Sequence, residues 1–439
     1  MAAGSGPHEP QQRSDALTSP PCPHNATFAK MNCGMALRGS ALRTVQRRSV
    51  ALMSTGQVEL RYTANGAPLS VLKPTSSDVP KASKGQVAVR MLAAPMRGAD
   101  VRAIKGEIPN GKAGVSTTKG KLRYADIANV QFIPETTAAK LPAVGGNEGV
   151  GVVTQVGSGV SGLAEGDRVS VSGTGTWATS IVANAKNVHK VPDGIPLETA
   201  ATISAPGTAL RLLDDFGSDL QAGDVLIQNN AGSSVGQAVI QLAKARGINT
   251  INVVNDGLLT THSYTDQARL LHGLGADVVV PESYLHTSEF DAVLADMQAP
   301  KLALDAKGGR QATNMARRLV SGSTMVMYGQ GEPFMVPGEK VDGIKFEGFT
   351  WASWCAGASA AQFEELCAAL GPLLAQGELN TWLERHDFKR YPAACERAEN
   401  EEYLRDPVLV MDSAAADEAL CSWYLNWAGP AGSDGDGRF

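Results

Sequence analysis

The chain lacks an uninterrupted apolar run long enough to cross a bilayer, so no integral membrane segment is expected and the protein reads as soluble. Cysteine is scarce. Six stand among 439 residues, at Cys22, Cys33, Cys355, Cys367, Cys395 and Cys421, and none forms a CxxC pair. That scarcity argues against a disulfide framework and against a thiolate metal site, and leaves reduced thiols that are buried or idle. An excess of positive charge is also missing. The 39 Lys and Arg face 44 Asp and Glu, a formal net charge of −5. Binding a phosphate backbone needs a basic face, so no nucleic-acid partner is expected. No internal repeat is visible.

What is present suits two globular domains, with 43% hydrophobic and 19% charged residues. The N-terminus departs from that average. Between Met31 and Ser54 it holds Arg38, Arg43, Arg47 and Arg48, several serines and no acidic residue. This is the composition of an organelle transit peptide, or else of a disordered tail. Residues 1–55 are therefore set apart from the fold, as is the Ala-, Gly- and Asp-rich tail 412–439.

From Val58 to about Ser204 short β-rich runs alternate with Gly and Pro, as at Val87–Leu92, Gly149–Val156, Arg168–Val171 and Ile181–Val182. Many short strands with frequent turns predict an antiparallel barrel or sandwich. After Pro206 the rhythm changes. Strands at Val225–Gln228, Ile248–Val254, Asp277–Val280, Lys301–Leu304 and Thr324–Tyr328 alternate with helices at Val235–Arg246, Thr265–His272 and Gln311–Val320. Such alternation predicts βαβ units and a parallel, doubly wound sheet. A helix is expected from Ala361 onward, and a last strand at Pro407–Met411.

The turn Asn229–Gly236 follows a strand and opens a helix. A helix N-terminus offers unpaired N–H groups and a positive dipole end, which suits a dinucleotide pyrophosphate. The full G-x-G-x-x-G spelling is absent, and only Gly232 and Gly236 remain, so a structural tight turn is the competing reading. Asp256, just past the second strand, stands where a carboxylate would read a ribose hydroxyl, or it is a simple turn residue. No Arg or Lys lies in Val253–Asp266 to meet a 2′-phosphate.

Four stretches together are far more specific. Residues 145–169 read GGNEGVGVVTQVGSGVSGLAEGDRV, residues 189–209 read HKVPDGIPLETAATISAPGTA, and IQNNAGSSVGQAVIQLAKARGINTINVV precedes SGSTMVMYGQ. Over roughly Val58 to Met411 the chain resembles the mitochondrial trans-2-enoyl-thioester reductases. These belong to the zinc-free, quinone-oxidoreductase-like branch of the medium-chain dehydrogenase/reductase superfamily.

The resemblance implies an α/β protein with a chaperonin-10-like β-barrel domain and a Rossmann domain. The implied spans are 56–205 for the substrate domain with an insertion at 109–140, 206–355 for the Rossmann domain, and 356–411 for a return to the first. It implies reduction of 2-enoyl thioesters, carried on acyl carrier protein or coenzyme A, by hydride from NADPH, with NADH as the alternative. A homodimer, a mitochondrial location (or else a plastid) and no metal are implied too. The zinc-dependent relatives carry a His before the signature Glu, where this chain has Asn147. Carried over by motif, Gly232, Ser233, Ser234 and Val235 should line the pyrophosphate. Tyr328, Gly329, Gln330 and Trp351 should lie near the cofactor, with Asp256 at the ribose. Trp177 is expected beside the cleft or else in the core.

The chain also departs from the family. Ile108 occupies the place of the proton-donating tyrosine, and Arg97-Gly98 replaces an Asn-Pro pair. Ala205 replaces an asparagine, and Asp406 a lysine. Tyr124, inside the 109–140 insertion, is the candidate substitute donor, the alternative being a surface loop. Three readings follow: an active enoyl-thioester reductase, a related quinone or alkenal reductase, or a catalytically weak paralogue kept for binding or assembly.

Overall fold

The computed structural model describes residues 56–107, 140–173, 175–255, 263–329, 343–399 and 404–411. The transit segment, Ile108, Tyr124 with nearly all of the 109–140 insertion, Asp256, Gln330 and the C-terminal tail lie outside the described residues.

The first part of the chain builds β1 (Gln57–Tyr62), β2 (Lys73–Ser77), β3 (Gln86–Pro95), helix α1 (Gly98–Lys105), β4 (Ala143–Val144), β5 (Glu148–Val156), β6 (Arg168–Ser172), β7 (Ser180–Asn184) and β8 (Val188–Lys190). Helices α2 (Leu197–Ala201) and α3 (Ser204–Phe216) lead out of it. A small sheet runs β2-β1-β4, all antiparallel. A seven-stranded sheet runs β15-β16-β3-β5-β6-β8, with β7 also on β3. Its last two members come from the far end of the sequence. β15 (Leu383–Asp387) pairs parallel with β16 (Asp406–Val410), and β16 pairs antiparallel with Ala93–Pro95 of β3. The antiparallel, short-stranded expectation for this half is what the structure shows.

The second half alternates. β9 (Val225–Gln228), α4 (Ser234–Ala245), β10 (Asn249–Val254), α5 (Tyr264–Leu274), β11 (Val278–Pro281), α6 (Ser288–Asp296), β12 (Leu302–Asp305), α7 (Gly309–Ala316), β13 (Thr324–Met327) and β14 (Lys345–Gly348) give one parallel sheet. Its order is β11-β10-β9-β12-β13-β14. That is the doubly wound Rossmann arrangement, whose order reverses between β9 and β12. All four residues of β9 and of β12 are buried, as strands covered by helices on both faces must be. After it come α8 (Trp351–Gly357), α9 (Ala360–Gln376) and α10 (Tyr391–Glu399).

One apolar cluster joins the two sheets. It runs from Val150 and Val408 on the antiparallel side through Leu212 and Leu213 of α3 to Leu226 and Val326 on the parallel side. Helix α3 was not read from the sequence, because Pro206 and Gly207 look like a break. Both fall in its first turn, where the missing proline N–H breaks no helical hydrogen bond. Helix α7 ends at Ala316 rather than Val320, since Thr324 must already enter the sheet beside Leu302.

Candidate active site

Strand β9 ends at Gln228, whose side-chain amide donates to the carbonyl of Gly236 (3.0 Å) and to Asn252 Oδ1 (2.8 Å), fixing the strand against its own helix and against β10. The chain then turns through Asn230, the one described non-glycine residue with positive φ (51°). Asparagine tolerates that region better than most side chains. Ser233 caps α4, its hydroxyl accepting from the Gly236 N–H at 3.2 Å. Gly236 is required by close approach, because a Cβ there would stand 2.6 Å from the carbonyl oxygen of Ala231. Gln237 locks the turn from behind. Its Nε2 donates to the carbonyls of Gly232 (2.7 Å) and Leu404 (2.8 Å), and its Oε1 accepts from the Trp382 N–H (3.0 Å).

Across the switch point, Asn229 Nδ2 donates to Asp305 Oδ1 at 2.6 Å, and Asn229 Oδ1 accepts from the Ala306 N–H at 2.7 Å. The backbone N–H of Gly308 also donates to Asp305 Oδ1, at 2.8 Å. Burial pushes the Asp305 carboxyl up, against those hydrogen bonds. Gly329 at the end of β13 packs on the Ala306 backbone so tightly that a side chain there would collide with it. The two loops, 229–233 and 305–309, thus face each other as a braced pair at the carboxyl ends of β9 and β12.

Of the expected cofactor residues within the described chain, those of the turn and of the end of β13 lie at the carboxyl ends of these strands, and Trp351 lies against Gly207 of α3. Gly232, Ser233, Ser234 and Val235 form the turn and the first helical residues, and Tyr328 and Gly329 close the end of β13. Ser234 Oγ is buried with no hydrogen-bond partner. Tyr328 Oη lies beside Ser233 but makes no hydrogen bond of good geometry, and burial and the Asp305 charge push its hydroxyl pKa up. Trp351 stacks on Trp354 with ring centroids 5.0 Å apart, its ring lies over Gly207, and its Nε1 is buried without a partner. Buried polar atoms in native proteins are normally satisfied, and each exception asks for a ligand or a reason. Trp177 is different. It is fully buried, its indole donates to the Pro95 carbonyl at 2.8 Å, and it belongs to the core rather than to a cleft wall.

A second cluster lies where β3, β5, α3 and β16 meet, and sequence reasoning had not assembled it. Arg97 follows β3 and reaches three elements. Its Nη1 donates to Glu148 Oε2 (2.6 Å) and Ser204 Oγ (2.9 Å), and its Nε to Asp406 Oδ2 (2.8 Å). Glu148 also takes the Ser204 N–H at 2.8 Å on its other oxygen. Asp100 accepts from the Arg97 backbone (2.9 Å) and from Asn147 Nδ2 (2.7 Å). Burial pushes Asp100 up to about 6, although Arg97 and Asn147 pull it down. Burial would lower the Arg97 pKa, but Glu148 and Asp406 outweigh it and keep the guanidinium charged. The available signal was a lone arginine ending the apolar run Met91–Met96, three residues ahead of a buried aspartate.

Residues 83–193 match the family model for the alcohol dehydrogenase GroES-like domain. A mitochondrial enoyl-acyl-carrier-protein reductase of Dictyostelium discoideum is 36% identical over 359 residues, covering 80% of this chain and 93% of its own length. The human protein of that name is 38% identical, with 73% and 79% covered, and the Arabidopsis thaliana one 34% identical, with 79% and 86% covered. Among solved structures, a complex described as Etr1p with NADP and crotonyl-CoA superposes with a TM-score of 0.63 at 24% identity, over 82% of this chain and all of that one. A described NADPH:quinone reductase of Bacillus thuringiensis gives 0.64 at 23% identity, over 82% and 100%. The structural likenesses establish the fold, and the sequence relatives establish more: the chain belongs to the mitochondrial enoyl-acyl-carrier-protein reductase family.

Proposed function

We propose that the protein reduces trans-2-enoyl thioesters of acyl carrier protein or coenzyme A to saturated acyl thioesters, using NADPH, in mitochondrial fatty-acid synthesis. The observation that carries this reading is a coincidence of two facts. Relatives from an amoeba, an animal and a plant share one name and align over 73% to 80% of the chain. The switch-point crevice that a dinucleotide would use also holds orphaned buried polar atoms, on Ser234 and Tyr328.

Those atoms make the crevice fit a nicotinamide dinucleotide. Gly232, Ser233, Ser234 and Val235 would hold the pyrophosphate at the α4 N-terminus, and Tyr328, Gly329 and Trp351 would flank the rest. When bound, the cofactor supplies the hydride. This chain's residues position it: Gln237 and Asn229 fix the two loops, and Ser233 orients the helix end. With Asn147 donating to Asp100 where zinc-dependent relatives have a histidine, charge on the substrate must be met by hydrogen-bond donors. Asp256, Gln330 and Tyr124 stay part of the proposal, as ribose reader, cofactor contact and substitute acid, in place of a tyrosine at Ile108. A homodimer, and removal of the N-terminal segment as a transit peptide, complete it.

The test is NADPH oxidation by protein starting at Ser54, with a medium-chain trans-2-enoyl-CoA as acceptor. Turnover of the thioester is expected. Turnover of a quinone with none of the enoyl thioester would overturn the reading in favour of a quinone reductase. If Tyr124 is the acid, Tyr124→Phe should slow turnover by about 10²-fold, and an unchanged rate removes it from the mechanism.

A further inference from the structure

Arg97 has more hydrogens than the described residues have acceptors for them. Its Nε is taken by Asp406, and its Nη1 serves Glu148 and Ser204. Its Nη2 is buried and has no hydrogen-bond partner among the described residues. Leaving a buried charged donor unsatisfied is costly, and sites built to receive an anion tolerate that cost. The side chain as a whole keeps 27% of its surface exposed, while Nη2 itself is among its buried atoms.

Its place in the fold is defined by its three partners. Asp406 lies two residues beyond Leu404, whose carbonyl accepts from Gln237 and whose side chain packs on Gly232 of the pyrophosphate turn. Ser204 begins α3, three residues before Gly207, which lies under the Trp351 ring. Glu148 opens β5 in the substrate half, and its charge is felt by Cys355, four residues after Trp351. The guanidinium therefore stands where the antiparallel half meets the elements that flank the cofactor crevice. Both carboxylates belong to the antiparallel sheet, at 2.6 and 2.8 Å, and Ser204 adds the helix that leads out of it, so the guanidinium ties the end of β3 to β5, β16 and α3.

We propose that Arg97 is a catalytic residue of the enoyl reduction, its guanidinium donating a hydrogen bond to the thioester carbonyl oxygen as negative charge collects there. The inference rests on the enoyl-thioester reading above. In that reaction the β-carbon receives the hydride with its electron pair. The former π pair moves to the bond between the α-carbon and the carbonyl carbon, and the carbonyl oxygen becomes an enolate. The α-carbon then takes a proton from water or from an acid group. The acyl chain is reduced and the nicotinamide oxidised. The enolate oxygen needs a fixed donor in a site without a metal, and a preorganised cation meets it without reorganisation. Glu148 and Asp406 fix the fork so that Nη2 points in one direction. Lysine, a point charge on a flexible stem, could not keep both carboxylates and the oxygen at once.

The wild-type protein is assayed first with trans-2-enoyl-CoA and NADPH, then Arg97→Met and Arg97→Lys, with NADPH affinity measured by fluorescence titration on each. For Arg97→Met a fall in kcat of about 10²- to 10³-fold is expected, with KM for the thioester and Kd for NADPH changed by less than about threefold. Arg97→Lys should recover only part of the loss. If Arg97→Met fails to fold, Arg97→Lys decides alone: kcat down by about tenfold or more with NADPH affinity kept supports the assignment. Near-wild-type kcat in either folded variant, with only the melting temperature lowered, makes Arg97 a structural tie and overturns it. A wild-type protein that oxidises NADPH with no enoyl thioester sinks the parent reading and this inference with it, and that result is visible before any variant is made.

Discussion

At Asp100 several effects compete for one proton. Burial favours the neutral acid and Glu148 adds to it, while the Arg97 backbone, the Arg97 charge and Asn147 favour the carboxylate. The acid wins part of the contest, with a pKa raised from 3.8 to about 6. Tyr62 faces the same carboxyl and is itself shifted upward by burial and then by that charge. The sign for stability follows from linkage. Between the unfolded and folded values the native state binds the extra proton, so stability falls as pH rises through that window and is greatest below it. Asp100→Asn removes the titration. Wild type should therefore gain on the variant by about 1–2 kcal/mol when pH drops from 7.5 to 5, as read from urea midpoints at the two pH values. A constant gap would show that the Asp100 pKa is not raised into that range. The same neighbourhood holds two departures from the family pattern, Arg97 and Asp406. In the sequence they look like separate losses, and in the structure they pair at 2.8 Å. No sequence spacing joins residues 309 apart, which is why this site was illegible until the chain was folded.

Helix α4 was legible because each local rule agrees with the others. The buried strand, the serine cap, Val239 and Leu242 on the core side, and Gly247 with φ 69° just past the end all mark it. Its start fell one residue earlier than the sequence suggested. The strand-to-helix turn proposed to hold the cofactor was readable as a turn, though its glycine spelling is incomplete, because Gly236 keeps a position where the helix touches the Ala231 backbone. Gly236→Val should thus displace Ala231, weaken NADPH binding by about tenfold or more, and leave the circular dichroism spectrum intact. Binding at wild-type strength would show that the turn can yield. Ser233→Ala should cost about 1 kcal/mol in stability through loss of the cap. Elements that failed the reading are those that depend on partners far away. β14 and β15 carry mixed polar sequences, KFEG and LERHD, whose strand state is set by pairing with β13 and β16. Helix α1 sits in a stretch read as strands, and is fixed by Asp100 folding back on the Arg97 N–H.

At the scale of the molecule, one apolar cluster spans both sheets and the last strands return to the first half, so the crevice is bounded by parts of the chain far apart in sequence. Cofactor choice is decided there by few contacts. The loop proposed to read the ribose begins at Asn255, whose carbonyl accepts from Gln267 at 3.1 Å. The sequence offers no Arg or Lys from Val253 to Asp266. The next cation along, Arg269, is 74% exposed on α5 and is paired with Asp266 on that same helix at 3.7 Å. A 2′-phosphate carries about two charges, and one well-placed arginine is what separates the two nucleotides in Rossmann domains. Without it, the NADPH preference should be modest. Titration of the same preparation with both nucleotides should give dissociation constants within about tenfold of each other, a difference of about 1.4 kcal/mol. Each nucleotide at a hundred times its Kd should raise stability by about 2.7 kcal/mol, because ligand linkage depends only on saturation. An NADPH preference of several hundredfold would mean that a cation reaches the 2′-phosphate from elsewhere in the chain. Arg269→Ala would then show whether α5 supplies it, by collapsing the preference to near unity while leaving NADH binding in place.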